Sequence, residues 1–170
     1  SIVFGAEDQF FNRFASMARF GPILPIVGAE TQFQPVSVED VAKAAVLGIM
    51  GISAPGTYEL AGPERDSFRG LMYRMLNIIQ RRRLVLDVPI FAARIMAASF
   101  ELGNKLTFGI LPVPLTSDQV KSLSIDNIPS GEFLGFEELG IEPASMGSIL
   151  PEYLWPFRAV SYTHLRAHET

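Results

Sequence analysis

The chain has 170 residues, 48% of them hydrophobic, enough apolar material for the core of one globular domain and too much for a disordered segment. A net charge of -4 with 19% charged residues provides no positive field for nucleic acid, and the basic residues form no long stripe. Cysteine is absent, which excludes disulfides, thiolate nucleophiles and cysteine-ligated zinc.

The opening Ser1-Ile2-Val3-Phe4-Gly5 is short, apolar and β-prone, and lacks the charged start and long apolar run of a signal peptide. From Asp8, a plausible N-cap, Phe10, Phe11, Phe14, Met17 and Ala18 recur at helical spacing, and Gly21-Pro22 ends that helix. Thr31 to Val38 reads as a strand with Phe33 and Val36 among polar neighbours. Ser37-Val38-Glu39-Asp40 then has the form of a capping box. The helix it opens carries Val38, Val41, Ala42, Ala45, Val46 and Ile49 on one side, with Glu39 and Lys43 as an i, i+4 pair on the other. That spacing predicts a surface helix packed on a sheet.

Ala54-Pro55-Gly56 breaks the chain before a short strand, Thr57 to Leu60, which Gly62-Pro63 terminates. A third amphipathic helix follows, with Phe68, Leu71, Met72, Met75, Leu76 and Ile79 inward and Arg69, Arg74 and Gln80 outward. Arg81-Arg82-Arg83 closes it, where cations meet the negative end of a helix dipole. Leu84 to Val88 is the next strand, and Pro89 suits the first turn of a helix running to about Lys105. The apolar stretch Pro89 to Pro112 contains Arg94, Glu101 and Lys105, each costing about 2.5 to 3.5 kcal/mol at a bilayer centre, so no spanning helix is expected. Ser117 to Leu123 is expected to be helical, Phe136 to Leu139 a helical turn, and Ser145 to Leu154 a last helix ending on Trp155. Helices alternating with strands predict an α/β arrangement with a parallel component.

The peptide Val160 to Thr170 changes character abruptly and resembles one reading frame of a transposase-type sequencing adapter; it is expected to be a library scar and is set apart from residues 1–159. Both histidines, His164 and His168, lie in it. Two ligands without a third do not make a metal site, so no metal residue is assigned. Without that peptide no histidine remains for acid/base or nucleophilic work.

No Gly-x-Gly-x-x-Gly turn is present to let a backbone approach a pyrophosphate. None of the four tyrosines, Tyr58, Tyr73, Tyr153 and Tyr162, has a lysine four residues on to lower its pKa. The carboxylate pairs Glu39-Asp40 and Glu137-Glu138 are adjacent in sequence and do not face each other on a helix, so they read as solvated or capping groups. Phe10, Phe11 and Phe14 read as core rather than a stacking platform. No catalytic residue is assigned.

Three segments resemble the extended, atypical short-chain dehydrogenase/reductases, relatives of NAD-dependent epimerases. Ser1 to Gly5 is similar to the strand after that family's catalytic helix. Gln34-Pro35-Val36-Ser37-Val38-Glu39-Asp40-Val41-Ala42 is similar to its Pro-Val-x-Val-x-Asp-Val-Ala strand and helix start, and Tyr58-Glu59-Leu60-Ala61-Gly62-Pro63 to its late strand and turn. One branch, the NADPH-binding accessory subunits of respiratory complex I and their bacterial relatives, is closer still. It is resembled at Phe4-Gly5-Ala6-Glu7-Asp8-Gln9-Phe10-Phe11-Asn12-Arg13-Phe14-Ala15, at Leu115 to Val120 and at Phe136 to Ile141, with a departure at Ala6, where that branch often has proline.

The resemblance spans Ser1 to about Arg158 and implies the C-terminal half of an extended Rossmann-type fold whose dinucleotide-binding N-terminal half is missing. It implies Ser1, Ile2, Val3 and Phe4 as cofactor contacts near the nicotinamide, with NADPH held as a structural cofactor. It implies complex I peripheral-arm subunits as partners and contact with the membrane surface, on the cytoplasmic face of a bacterial inner membrane or the matrix side of the mitochondrial one. The helix from Pro89 and Arg81 to Arg83 are the expected docking elements. The alternatives are an active NAD(P)-dependent epimerase or reductase using an upstream tyrosine and lysine, and a free-standing interaction module.

Overall fold

A computed structural model of the chain describes residues 2–95, 98, 99, 123 and 125–159. In order these form β1 (Val3–Phe4), α1 (Phe11–Phe20), β2 (Ile23–Val27), β3 (Gln32–Phe33), β4 (Val36–Ser37), α2 (Val38–Ile49), β5 (Asp66–Ser67), α3 (Phe68–Ile78), β6 (Leu84–Val88) and α4 (Met146–Leu154), which runs into a 3-10 turn at Trp155–Phe157. The chain is helical again at 90–95 and at 98 and 99. The expected helix over Ser117 to Leu123, apart from Leu123 itself, the far end of the one from Pro89, and Val160 to Thr170 lie outside the described residues.

The class is mixed α/β with small parallel sheets, as the alternation of elements implies. β1 pairs in parallel with β4, and β2 in parallel with β6 over five residues from Ile23 opposite Leu84 to Val27 opposite Val88, while β3 and β5 are antiparallel. β2 has no counterpart in the sequence reading. Pro25 sits at its centre and Ile26 and Val27 are both buried, so neither alternation nor proline-free composition marks it. The single strand expected over Thr31 to Val38 is split into β3 and β4, and Thr57 to Leu60 is reduced to one bridge between Tyr58 and Leu134.

α1, α3 and α4 bury their apolar stripes together over β1 and β2. Phe11, Ala15 and Ala18 of α1 meet Phe68, Leu71, Met72 and Met75 of α3 and Met146, Leu150 and Leu154 of α4 in one core that also holds Phe4, Leu24 and Ile26. One side of it is a cluster of aromatic rings. Phe10 lies 5.1 Å edge-on from Phe11 and 5.4 Å from Phe68, and Phe14 approaches Phe68 edge-on at 5.4 Å. Edge-to-face packing sets positive ring edges against negative faces and adds about 0.5 to 1.5 kcal/mol per pair beyond area burial.

α2 departs from expectation. Val38, Ala42, Ala45, Val46 and Ile49 are exposed, and the buried positions are Asp40 and Ala44, with Val41 half-buried. This face packs with Val36, Leu60, Phe136, Leu139 and Ile141, so a C-terminal segment rather than a sheet covers α2, on a side rotated from the apolar stripe. The capping box is half made. The Ser37 hydroxyl accepts from the Glu39 N–H at 3.3 Å, but Asp40 turns away from Ser37 and is fully buried.

Candidate functional site

The described segments that carry the family resemblance converge. Gly62 sits over Pro35 so closely that a Cβ on Gly62 would lie 2.0 Å from the Pro35 carbonyl oxygen, and the Gln34 side chain donates to Gly62 O at 2.7 Å. Only a residue without Cβ permits that approach. Asp40 accepts from Lys43 Nζ at 2.8 Å and from the Ala144 N–H at 2.7 Å, tying α2 to the chain entering α4. Burial pushes its pKa up, but the Lys43 and Ala144 hydrogen bonds outweigh burial and hold the carboxyl below its ordinary value. The i, i+4 pair expected between Glu39 and Lys43 is replaced by this i, i+3 pair, and the reading of Asp40 as solvated or capping gives way to a buried clamp.

β1 leads through Gly5 into the N-terminus of α1. The N-cap position falls on Phe10 and not on Asp8, but the Asp8 carboxylate still accepts from the Phe11 N–H at 2.5 Å and the Asn12 N–H at 3.3 Å at the start of the helix, and its other oxygen accepts from the Tyr153 hydroxyl of α4. Asn12 Nδ2 donates to Ala6 O at 3.0 Å and Asp8 O at 3.1 Å, closing the loop onto the helix. Burial and the Asp8 carboxylate both push the Tyr153 phenol well above its ordinary range. Tyr153 therefore stays protonated at neutral pH and donates to Asp8. An open depression of about 760 Å³ beside this corner is lined by Glu7, Asp8, Asn12, Ser16, Phe20 and Phe157 among others.

Of the four residues that resemblance assigns to a cofactor, Ser1 lies outside the described residues. Ile2 is half-buried against the core, Val3 is exposed, and Phe4 is wholly buried, edge-on to Phe11 at 6.1 Å. Dinucleotide phosphates need a glycine-rich turn of backbone N–H groups, and Ile2 to Phe4 form none. Val38 Cγ1 fills the space where a Gly5 side chain would start, 2.6 Å from its ideal Cβ, leaving no cradle there. The one buried side-chain polar atom without a partner among the described residues is Arg74 Nε, inside the Arg74, Glu64 and Asp66 ion-pair cluster and away from β1. Ile2, Val3 and Phe4 therefore do not fit the phosphates of a dinucleotide. No group of three potential metal ligands occurs among the described residues.

Glu138 accepts from the Gly135 N–H at 2.7 Å, which with its own N–H holds its carboxyl below the ordinary value, and caps the turn over Phe136 to Gly140, so it forms no dyad with Glu137. The arginine triplet acts on carbonyls other than those of α3. Arg81 donates to Phe157 O at 2.8 Å and Arg158 O at 3.3 Å, and Arg83 to Ala18 O at 2.7 Å in the last turn of α1. The expected meeting of these cations with the dipole of α3 is not made, since α3 ends at Ile78 with no basic residue in its last turn, and Arg82 is exposed. Sequence reasoning missed the Asp8 to Tyr153 bond and the burial of Asp40. Asp8 carried a visible signal as a cap, but a partner 145 residues away has none.

No protein-family model matches the chain. Among curated proteins, it is 32% identical over 164 residues, 93% of this chain, to NADH dehydrogenase (ubiquinone) 1 alpha subcomplex subunit 9, mitochondrial, of Arabidopsis thaliana. Its homologues are complex I subunits. The Mus musculus protein of the same name is 29% identical over the whole chain, and the NADH-ubiquinone oxidoreductase 40 kDa subunit of Neurospora crassa is 27% identical over 96% of it. The chain spans about two-fifths of the length of these relatives, 40% of the Arabidopsis protein and 41% of the other two. No helix among the described residues is long and apolar enough to cross a membrane.

Proposed function

We propose that the whole protein is an accessory, non-catalytic subunit of complex I that holds NADPH and supports stability or assembly, and that residues 1–159 are the C-terminal portion of its extended short-chain dehydrogenase-like fold. The observation that carries this reading is the similarity to subunit 9 over 93 to 100% of the chain in an animal and a plant, which takes in the segments that converge around Gly62, Asp40 and Asp8. The chemistry agrees with it. Asp8 and Tyr153 hold each other in a structural hydrogen bond, and Asp40 is clamped to the Ala144 N–H. In this reading the dinucleotide phosphates belong to the chain upstream of β1, because the residues from Ile2 to Gly5 supply no phosphate cradle.

The protein is peripheral in this proposal, docked on the peripheral arm where that arm meets the membrane surface. The outward face of the β2 and β6 pair exposes Ile23, Leu84 and Leu86, the next helical residues expose Phe91 and Ile95, and Arg82 adds a cation beside Leu84. An apolar surface edged by arginine suits an anionic lipid interface.

The test is co-purification. A tagged full-length polypeptide expressed in its own host should elute with NADH:quinone oxidoreductase activity after mild detergent extraction. Recovery as a free protein, with the oxidoreductase complete without it, would overturn the reading.

A further inference from the structure

The chain has a net charge of -4, yet four arginines gather without ion pairs at the pole where α1, α3 and the Trp155–Phe157 turn end. Arg83 Nε donates to Ala18 O at 2.7 Å, and Arg19 is the next residue of that helix end. Arg81 Nε donates to Phe157 O at 2.8 Å and its Nη2 to Arg158 O at 3.3 Å, while Arg158 Nε donates to Ile78 O at 3.1 Å. These partners are neutral carbonyls. Among the described residues none of the four arginines is paired with a carboxylate, so the positive charge of the pole is uncompensated.

Exposed rings stand beside the arginines. Phe20 is 86% exposed and Trp155 64%, and Phe20 and Phe157 both line the open depression along α1. From Asn12 to Phe20 that helix rises roughly 12 Å, so Glu7 and Asp8 lie at one end of the depression and the arginine pole at the other. A lipid surface of a single sign suits the arginines but not Glu7. A protein surface can match both signs, and arginine, tryptophan and phenylalanine are enriched in protein interfaces. Arg81, Arg83 and Arg158 are each held through Nε, which sets their guanidinium planes in advance for two-point contact with a carboxylate.

We propose that this pole is the seat of an acidic segment of a partner protein, whose Asp or Glu carboxylates pair with Arg19, Arg81, Arg83 and Arg158 while an apolar side chain packs on Phe20 and Trp155. The proposal rests on the reading of the protein as a subunit of an assembly, but not on which assembly. A partner outside the oxidoreductase would leave it standing and overturn the complex I reading.

Carbodiimide coupling in intact membranes of the protein's own host tests it, because the reagent condenses an amine and a carboxylate to an amide only where they touch. In full-length Arg19→Lys and Arg158→Lys, peptide mass spectrometry should find residue 19 or 158 joined to an Asp or Glu of a different protein. That amide should be roughly 10-fold more abundant than from Glu132→Lys, an exposed site in another loop. Amides formed only within the chain or to a second copy, or none at all, overturn the proposal. The second measurement is flotation of the purified full-length protein with phosphatidylglycerol vesicles. Replacing Arg19 and Arg158 together by Glu should change flotation by less than roughly 2-fold. Loss of flotation in that variant would assign the pole to a lipid surface and overturn the proposal.

Discussion

Replacing Asp40 by alanine separates two accounts of how α2 is held. The carboxylate is fully buried, accepts from the Ala144 N–H at 2.7 Å and pairs with Lys43 at 2.8 Å, but the lysine side chain is 59% exposed. An exposed cation is replaceable by water, so its share is at most about 1 kcal/mol. The charged hydrogen bond to the backbone is worth about 1.5 to 3 kcal/mol, and removing the acceptor leaves the Ala144 N–H without its partner. Asp40→Ala should therefore cost about 3 kcal/mol, Asp40→Asn about half of that, and Lys43→Ala less than about 1 kcal/mol. Urea unfolding of the variants in one and the same polypeptide measures these differences, and hydrogen exchange should show the loss concentrated at Ala144 and the start of α4. The pH dependence has a definite sign. A carboxyl held below its unfolded value stabilises the fold above about pH 3.9 and loses that contribution as pH falls through the folded value, so wild type and Asp40→Ala should converge in acid. If Lys43→Ala proves as costly as Asp40→Ala, the ion pair and not the backbone clamp holds the helix, and the reasoning fails.

Tyr153→Phe removes the donor to Asp8 and should destabilise by about 1 to 2 kcal/mol. Because the phenol is raised in the folded state, this contribution is present below about pH 10 and is lost as pH rises beyond it; absorbance titration showing Tyr153 ionising near its ordinary value would refute the buried bond. Gly28 has φ +72° and a Cβ there would lie 2.3 Å from Leu123 O, so Gly28→Ala should cost about 3 kcal/mol or more, whereas Gly140→Ala, with φ +64° and nothing within 4 Å, should cost only about 1 kcal/mol of backbone strain. Thermal unfolding of the two variants compares them directly. Isothermal calorimetry of the 170-residue chain with NADPH should show no submillimolar binding, since the phosphate-binding turn is not in it; such binding would contradict the assignment of the phosphates to upstream residues.

How far the sequence was legible depended on whether an element's signal was local. The aromatic helix α1, the stripe of α3 and the Ser145-capped α4 were readable because period and cap lie within a dozen residues, and the structure buries Phe11, Phe68, Met75 and Leu150 accordingly. β2 was not readable, because its strand character comes from five-residue pairing with β6, which lies 61 positions on and overrides the proline at its centre. The same distinction explains the site. The capping role of Asp8 is local and visible, while its bond to Tyr153 and the clamp from Asp40 to Ala144 close gaps of 145 and 104 residues.

α2 is the instructive mismatch. Its periodicity describes a helix with an apolar stripe at Val38, Ala42, Ala45, Val46 and Ile49, yet the packed face is the one bearing Asp40 and Ala44. Both statements hold because Asp40 fixes the rotation of the helix: its carboxylate accepts from the Ala144 N–H and from Lys43, so the segment from Phe136 to Ala144 covers the side it pins and the stripe is left exposed. Loss of the clamp should free that rotation and let the stripe turn inward, so Asp40→Ala should lower hydroxyl-radical modification of Val46 and Ile49 in the 170-residue chain. Unchanged modification there would show that the apolar contacts of Val41 and Ala44, and not the carboxylate, set the rotation.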